Sequence, residues 1–126
     1  MAKGRLKDNG VHLQPHEYHS IKLLLDLGHN IELIPESDIK GMKMPDILMD
    51  GIPWEIKAPQ GDSRKTIKHN IQNAAHQSEN VIIDLCRCKQ SEMLSLREIK
   101  RQFELTKSIK RMKVVKKSEE IIDFNM

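Results

Sequence analysis

Pro45-Asp46-Ile47-Leu48-Met49-Asp50-Gly51-Ile52-Pro53-Trp54-Glu55-Ile56-Lys57 folds back on itself at its centre. An Asp-Gly pair between two apolar runs is among the strongest short-range hairpin signals, because a two-residue turn matching strand twist needs φ above zero at both positions. Two antiparallel strands are expected, Asp46 to Met49 and Ile52 to Lys57. Residues two apart in a strand share a face, so Glu55 and Lys57 project together while Ile56 points the other way. The turn also lays the first strand along the second and brings Asp46 beside the Glu55 to Lys57 end. Two carboxylates and an ammonium should therefore converge.

Upstream, Tyr18, Ile21, Leu24 and Leu25 recur at helical spacing between Pro15, suited to a first turn, and Gly28, suited to a stop. Asn30 to Pro35 reads as a strand, and Glu36 to Lys43 as a polar loop. Residues 1–13, polar and containing Gly4 and Gly10, read as a flexible arm preceding a domain over 14–126. Downstream of the hairpin, Ala58 to Arg64 is a loop, and Lys65 to Gln77 a helix with Ile67, Ile71, Ala74 and Ala75 on one side. Asn80 to Leu85 is nearly continuous in apolar residues, as a central strand covered on both faces would be. Ser91 can cap a helix running to about Ile109, with Met93, Leu94, Leu96, Ile99, Phe103 and Leu105 as its apolar face. Met112 to Lys116 and Glu120 to Phe124 finish as strands. The alternation gives one α/β domain, a central mixed sheet flanked by helices, in the order α-β-β-β-α-β-α-β.

Composition narrows the function. With 126 residues, 38% hydrophobic and 31% charged, the chain suits one folding unit. Aromatics make up 3%, too few for binding built on stacking bases against aromatic platforms. No apolar run approaches the ~20 residues of a membrane span, and the N-terminus lacks the apolar segment of a signal peptide. A net charge of +3 decides nothing. Cys86 and Cys88, one residue apart, are too close for an ordinary disulfide and lack the second pair of a zinc ribbon, so they read as buried or strand-edge thiols. His16-Glu17-Tyr18-His19 misses the His-Glu-x-x-His zinc motif because Ser20 stands where the second histidine belongs. The basic run from Lys107 to Lys117 reads as a solvated helix end and strand edge.

Clustered carboxylates repel unless a cation sits between them, and hard oxygen donors suit Mg²⁺ or Mn²⁺. Glu17, at the edge of the inward face of the first helix, offers a third carboxylate. With Asp46 and Glu55 it would complete a metal site open to water and phosphate, where Lys57 could orient the attacking water. Taken singly, each residue has an ordinary reading that is the stronger one. Asp46 and Asp50 are then turn residues, Glu55 and Lys57 a solvated strand pair, and Glu17 a helix-start acid.

The joint pattern changes that balance. Helix with an acid, strand, Pro-Asp hairpin, Glu-x-Lys, helix and apolar strand together resemble the PD-(D/E)xK nuclease superfamily, with the motif carried by Pro45, Asp46, Glu55 and Lys57. More narrowly, Met44-Pro45-Asp46-Ile47-Leu48, Asp50-Gly51, Trp54 to Pro59, Thr66-Ile67, Asn70-Ile71 and Gln77-Ser78 through Leu85 look like the C-terminal tRNA-nuclease toxin domains of contact-dependent growth inhibition proteins. Related domains end some phage head proteins. This resemblance, running from His16 to Phe124, implies a metal-dependent endoribonuclease acting on tRNA in the cytoplasm of a competing bacterium and neutralised in its maker by an immunity protein. It implies Glu17, Asp46, Glu55 and Lys57 as the active site, with Mg²⁺ or Mn²⁺ on the three carboxylates. Lys65, Thr66, Lys68 and Asn70 are expected to bind substrate, with Arg64 and His69 as further phosphate contacts. With no large delivery segment in the sequence, an excised toxin domain and a small stand-alone relative are both expected forms. Two alternatives stand beside this reading: a DNA endonuclease or junction resolvase of the same fold, and a non-catalytic module for phage or partner assembly.

Overall fold

In a computed structural model, residues 3–36, 39, 41 and 44–125 are described. Most of the loop expected over Glu36 to Lys43 lies outside them, as does the Arg64 side chain. The elements are β1 (Leu6–Lys7), α1 (Pro15–Asp26), β2 (Ile31–Leu33), β3 (Ile47–Met49), β4 (Ile52–Lys57), α2 (Arg64–Ala75), β5 (Asn80–Asp84), α3 (Glu92–Leu105), β6 (Arg111–Val115) and β7 (Ile121–Asn125). The strands form one mixed sheet in chain order, β1 to β7. The expected α/β domain is thus present, with a strand added at each end of the eight-element order. One is β7, within a stretch already read as a strand. The other is β1, inside the presumed arm: Leu6–Lys7 pair in parallel with Ile31 and Glu32, and Gly4 N–H donates to Leu25 O at 2.8 Å. A two-residue exposed strand carries no alternation to read.

The hairpin forms as its sequence requires. Asp50 and Gly51 take φ of 52° and 83°, and the register sets Ile47 against Trp54 and Met49 against Ile52. Asp50 Oδ1 and Oδ2 reach across to Asn30 N (2.9 Å) and His29 Nδ1 (2.7 Å), fastening the turn to the start of β2. The bond with His29, followed by that from Asn30, holds the Asp50 carboxyl below its ordinary pKa. From β4 to β6 the sheet is parallel through two helical crossovers, β4-α2-β5 and β5-α3-β6, and β7 returns antiparallel to β6.

β5 is buried along its whole length. Its alternate residues enter two cores: Val81 and Ile83 pack with Ile67, Ile71, Ile99 and Met112, while Ile82 packs with Ile21, Leu24, Ile47 and Trp54. Hence α2 and α3 cover one face and α1 the other, which explains the unbroken apolar run. Ser91 Oγ caps α3 by accepting from Leu94 N (3.2 Å), but the expected apolar face is only partly inward. Ile99 is buried, and Leu96 and Phe103 partly so, whereas Met93, Leu94 and Leu105 are exposed and Ser95, Glu98 and Gln102 are buried. The inward polar groups are tolerated because they bond one another or nearby groups, Gln102 Nε2 to Glu98 Oε1 (2.9 Å) and Ser95 Oγ to Gln90 Oε1 (3.2 Å). The helix stops at Leu105, and Ile109 is a fully buried loop anchor. Among the described residues, no helix is long and apolar enough to cross a membrane.

Candidate active site

Glu55 and Lys57 register with Val81 and Ile83, so both side chains leave β4 on the α2 and α3 side of the sheet. Trp54 and Ile56 fill the opposite core. One step beyond the Ile47–Trp54 pair, Asp46 stands across from Glu55, and its Oδ2 accepts the Ile56 N–H at 2.8 Å. Asp46 N–H donates to Trp54 O (3.1 Å) and Asp46 O accepts from Ile34 N (2.9 Å), so β2 and β4 clamp this residue from both sides. Lys57 Nζ lies 3.2 Å from Glu55 Oε2.

Glu55 is 3% exposed, and its Oε1 is buried with no hydrogen-bond donor. Burial, then the charge of Asp46, raises its pKa to about 7, although Lys57 pulls the other way. A hydrogen bond between the two carboxyl groups adds to the rise. Such a bond exists only while one of them holds a proton; once both ionise the two carboxylates repel, and Lys57 on Glu55 Oε2 only partly offsets that.

Asp46 and Lys57 open into a cleft of about 460 Å³ at this end of the sheet. Glu17 lines the same cleft from α1, but its Oε1 accepts the Gln14 N–H at 2.9 Å, as the acid of a capping box does. It packs with the helix on the opposite face of the sheet and meets Asp46 and Lys57 only where the cleft opens. Among the described residues, Glu17, Asp46 and Glu55 do not draw into one tight three-ligand group.

The expected substrate contacts divide. Asn70 lines the cleft and donates Nδ2 to Thr66 O (2.8 Å) one helical turn back. The Thr66 side chain packs against Gly61 so closely that no side chain could replace that glycine's hydrogen. Lys65 and Lys68 are not on the cleft; they line a shallow groove with Glu98, Arg101 and Gln102 because they face α3 across the helix pair. Arg87, which the sequence reading passed over, does line the cleft and is held by Nε donating to Ala58 O (3.2 Å). Its position just past the carboxyl end of a central parallel strand is where α/β sheets gather ligands, and that signal was present in the sequence. His12 and His16 also line the cleft.

A second polar cluster adjoins it. Asp84 Oδ2 accepts from Ser20 Oγ (2.6 Å) and faces His19 Nδ1 (2.9 Å), while Oδ1 accepts from Cys86 N (2.8 Å). Burial alone would raise the Asp84 carboxyl, but the bonds from Ser20, His19 and Cys86 outweigh it and hold it below the ordinary range. The same bond to Asp84 raises the His19 imidazole. Both cysteines are free thiols, Cys88 buried and Cys86 partly so. Burial first, and then Asp84, push the Cys86 thiol up to about 12.

Residues 43–121 match the family described as the contact-dependent growth inhibition CdiA C-terminal domain. That span holds Asp46, Glu55 and Lys57 and leaves out Glu17. Among solved structures, the chain is similar to one described as the CdiA-CT/CdiI toxin and immunity complex from Burkholderia pseudomallei, with a TM-score of 0.72 and 19% identity over 98% of this chain and 100% of that one. At that identity the likeness speaks for the fold. No curated protein matches the chain.

Proposed function

The chain belongs to the family of CdiA C-terminal domains of contact-dependent growth inhibition, and from that premise we propose that it is a toxin domain that hydrolyses RNA phosphodiester bonds with a divalent metal, tRNA being its substrate. The observation that carries this reading is the orphaned, buried Glu55 Oε1, whose neighbours Asp46 and Lys57 open into the cleft. A buried carboxylate with an unpartnered oxygen, set beside a second carboxylate that is exposed, is a poor structural element and a good cation site. The donor set is all hard oxygen, which fits Mg²⁺ or Mn²⁺. Asp46 and Glu55 would hold the ion. Glu17 Oε1 is engaged by the Gln14 N–H, so Glu17 would join through its other oxygen or through a water. Bound there, the ion would supply charge neutralisation for the scissile phosphate and acidify a water.

The protein's own groups have separable tasks. Asp46 is fixed by three backbone bonds, so its carboxylate is aimed before substrate arrives. The Lys57 side chain is about a quarter exposed, its Nζ paired with Glu55, and it lines the cleft. From there it orients the attacking water or stabilises negative charge growing on a phosphate oxygen. Arg87, pinned through Nε, keeps the rest of its guanidinium for phosphate, and Asn70 offers a polar contact from α2. Relationship to the PD-(D/E)xK nucleases belongs to the same proposal, as does the place of action, the cytoplasm of a target bacterium. So does a cognate immunity partner, since the similar Burkholderia pseudomallei structure is a toxin and immunity complex.

Incubation of purified protein with total RNA and with plasmid DNA, in Mg²⁺ and in EDTA, tests the reading. RNA cleavage that EDTA abolishes is expected. Cleavage confined to DNA would turn the proposal to a DNA endonuclease, and no cleavage of either would favour a binding module.

A further inference from the structure

We propose that His19, Cys86 and Glu119 form a second cation site, selective for a zinc-class ion, with Asp84 as the carboxylate that fixes the imidazole. It is separate from the Asp46–Glu55 pair and does not rest on the nuclease reading. Asp84 Oδ2 takes its bond at His19 Nδ1 (2.9 Å), which assigns the Nδ1 hydrogen to Asp84 and directs Nε2 away from it. Nε2 then meets two donors from other parts of the chain, Cys86 Sγ at 3.8 Å and Glu119 Oε1 at 3.5 Å. Histidine ligands of zinc usually donate their other ring N–H to a carboxylate in this way.

The separations suit the ion. Tetrahedral zinc, with its ordinary bond lengths to sulfur, nitrogen and oxygen, places a nitrogen and a sulfur ligand about 3.6 Å apart and a nitrogen and an oxygen ligand about 3.3 Å apart. The two pairs that share Nε2 are within a few tenths of an ångström of those values, and the movement needed to close the site falls on Glu119, which stands outside the tight group of His19, Asp84 and Cys86. His19, Asp84 and Cys86 offer ligand atoms that lie mutually within 4.8 Å, and all three line a niche of about 120 Å³ beside the cleft. Asp84 acts as the carboxylate that fixes the ring, with Oδ2 shared by Ser20 and His19 and Oδ1 holding the Cys86 N–H. Glu119 is exposed at the β6–β7 turn, so its carboxylate is free to close over the ion from outside. A thiol and an imidazole select zinc over magnesium, as softer donors do.

Binding would release a proton from the thiol, now directed at Lys116 O (3.4 Å), and from Nε2 where the ring is charged; both pass to solvent. The ion would clasp α1, the end of β5 and the β6–β7 turn, three elements distant in sequence.

The test uses the metal alone. Purified, chelator-treated protein is titrated with Zn²⁺ by calorimetry and with Co²⁺ by absorption, where a thiolate ligand gives a charge-transfer band. One thiolate-bound equivalent, read from the band, is expected, and any ion taken up at Asp46–Glu55 adds heat but no band. Cys86→Ser should abolish the band and weaken Zn²⁺ at least tenfold, and Glu119→Gln, a surface change, should weaken it without loss of fold. Cys88→Ser and Asp46→Asn should leave the band in place. Absence of the band in the wild type, its survival in Cys86→Ser, or its loss in Asp46→Asn would overturn the site.

Discussion

Replacing Glu55 with glutamine should stabilise the metal-free protein at alkaline pH and leave it nearly unchanged near pH 4.5. The folded carboxyl titrates at about 7 against an ordinary 4.5, chiefly from burial and then from Asp46. Between those values the unfolded chain has released its proton and the folded chain still holds it. The native state thus binds more protons, and stability falls as pH rises through the window, levelling off above 7. At about 1.4 kcal/mol per pH unit, the full window is worth about 3.5 kcal/mol. The pairing with Lys57 is already inside that figure, because Lys57 lowers the value. Glutamine cannot ionise, so Glu55→Gln should unfold with about 2–3 kcal/mol more resistance than wild type at pH 8.5. Urea denaturation in EDTA from pH 4.5 to 8.5, followed by circular dichroism, measures the difference between the two proteins and cancels their other titrations. Saturating Mg²⁺ should erase most of it by favouring the ionised wild type. Parallel curves across the range would refute the idea that Glu55 is strained by an unneutralised neighbour.

Asp46→Asn keeps an acceptor for the Ile56 N–H and removes one charge, so its stability should stay within about 1 kcal/mol of wild type while the Mg²⁺-induced rise in Tm shrinks. Equal Tm shifts would take the ion away from Asp46. Lys57→Ala should keep the Mg²⁺-dependent Tm rise and lose on the order of 100-fold or more in cleavage rate; a near-normal rate would leave Lys57 as nothing more than a partner of Glu55. Lys65→Ala with Lys68→Ala should leave cleavage within a few-fold of normal, because both face the α2–α3 groove, whereas Arg87→Ala should raise KM. The reverse result would route substrate over that groove.

The hairpin and the three groups it gathers were readable because their cause is local: Asp50-Gly51 fixes the turn, the turn fixes the register, and the two-residue period sets Glu55 and Lys57 on one face. β5 announced itself for a related reason, since a strand buried on both sides needs apolar residues throughout. What escaped depends on contacts between distant segments. Leu6–Lys7 become a strand only because β2 presents an edge. Glu17 has the right chemistry and reaches the cleft, yet its distance from the Asp46–Glu55 pair is decided by the Gln14 N–H three residues away and by the side of the sheet on which α1 packs. Lys65 and Lys68 lie five and two residues before Asn70, but the packing of α2 on α3 carries them to another surface. The inward Ser95, Glu98 and Gln102 reverse the polarity that spacing assigns to α3, because their bonds to one another and to Gln90 cannot be seen in a periodicity.

Cleavage of purified tRNA by wild type and by Asp46→Asn, side by side in Mg²⁺ with equal folded fractions, tests the central claim most directly. The account predicts discrete tRNA fragments from the wild type and intact tRNA from the variant. Fragments produced by both at the same rate would contradict it, because the carboxylate pair at the hairpin mouth would then have no part in the chemistry.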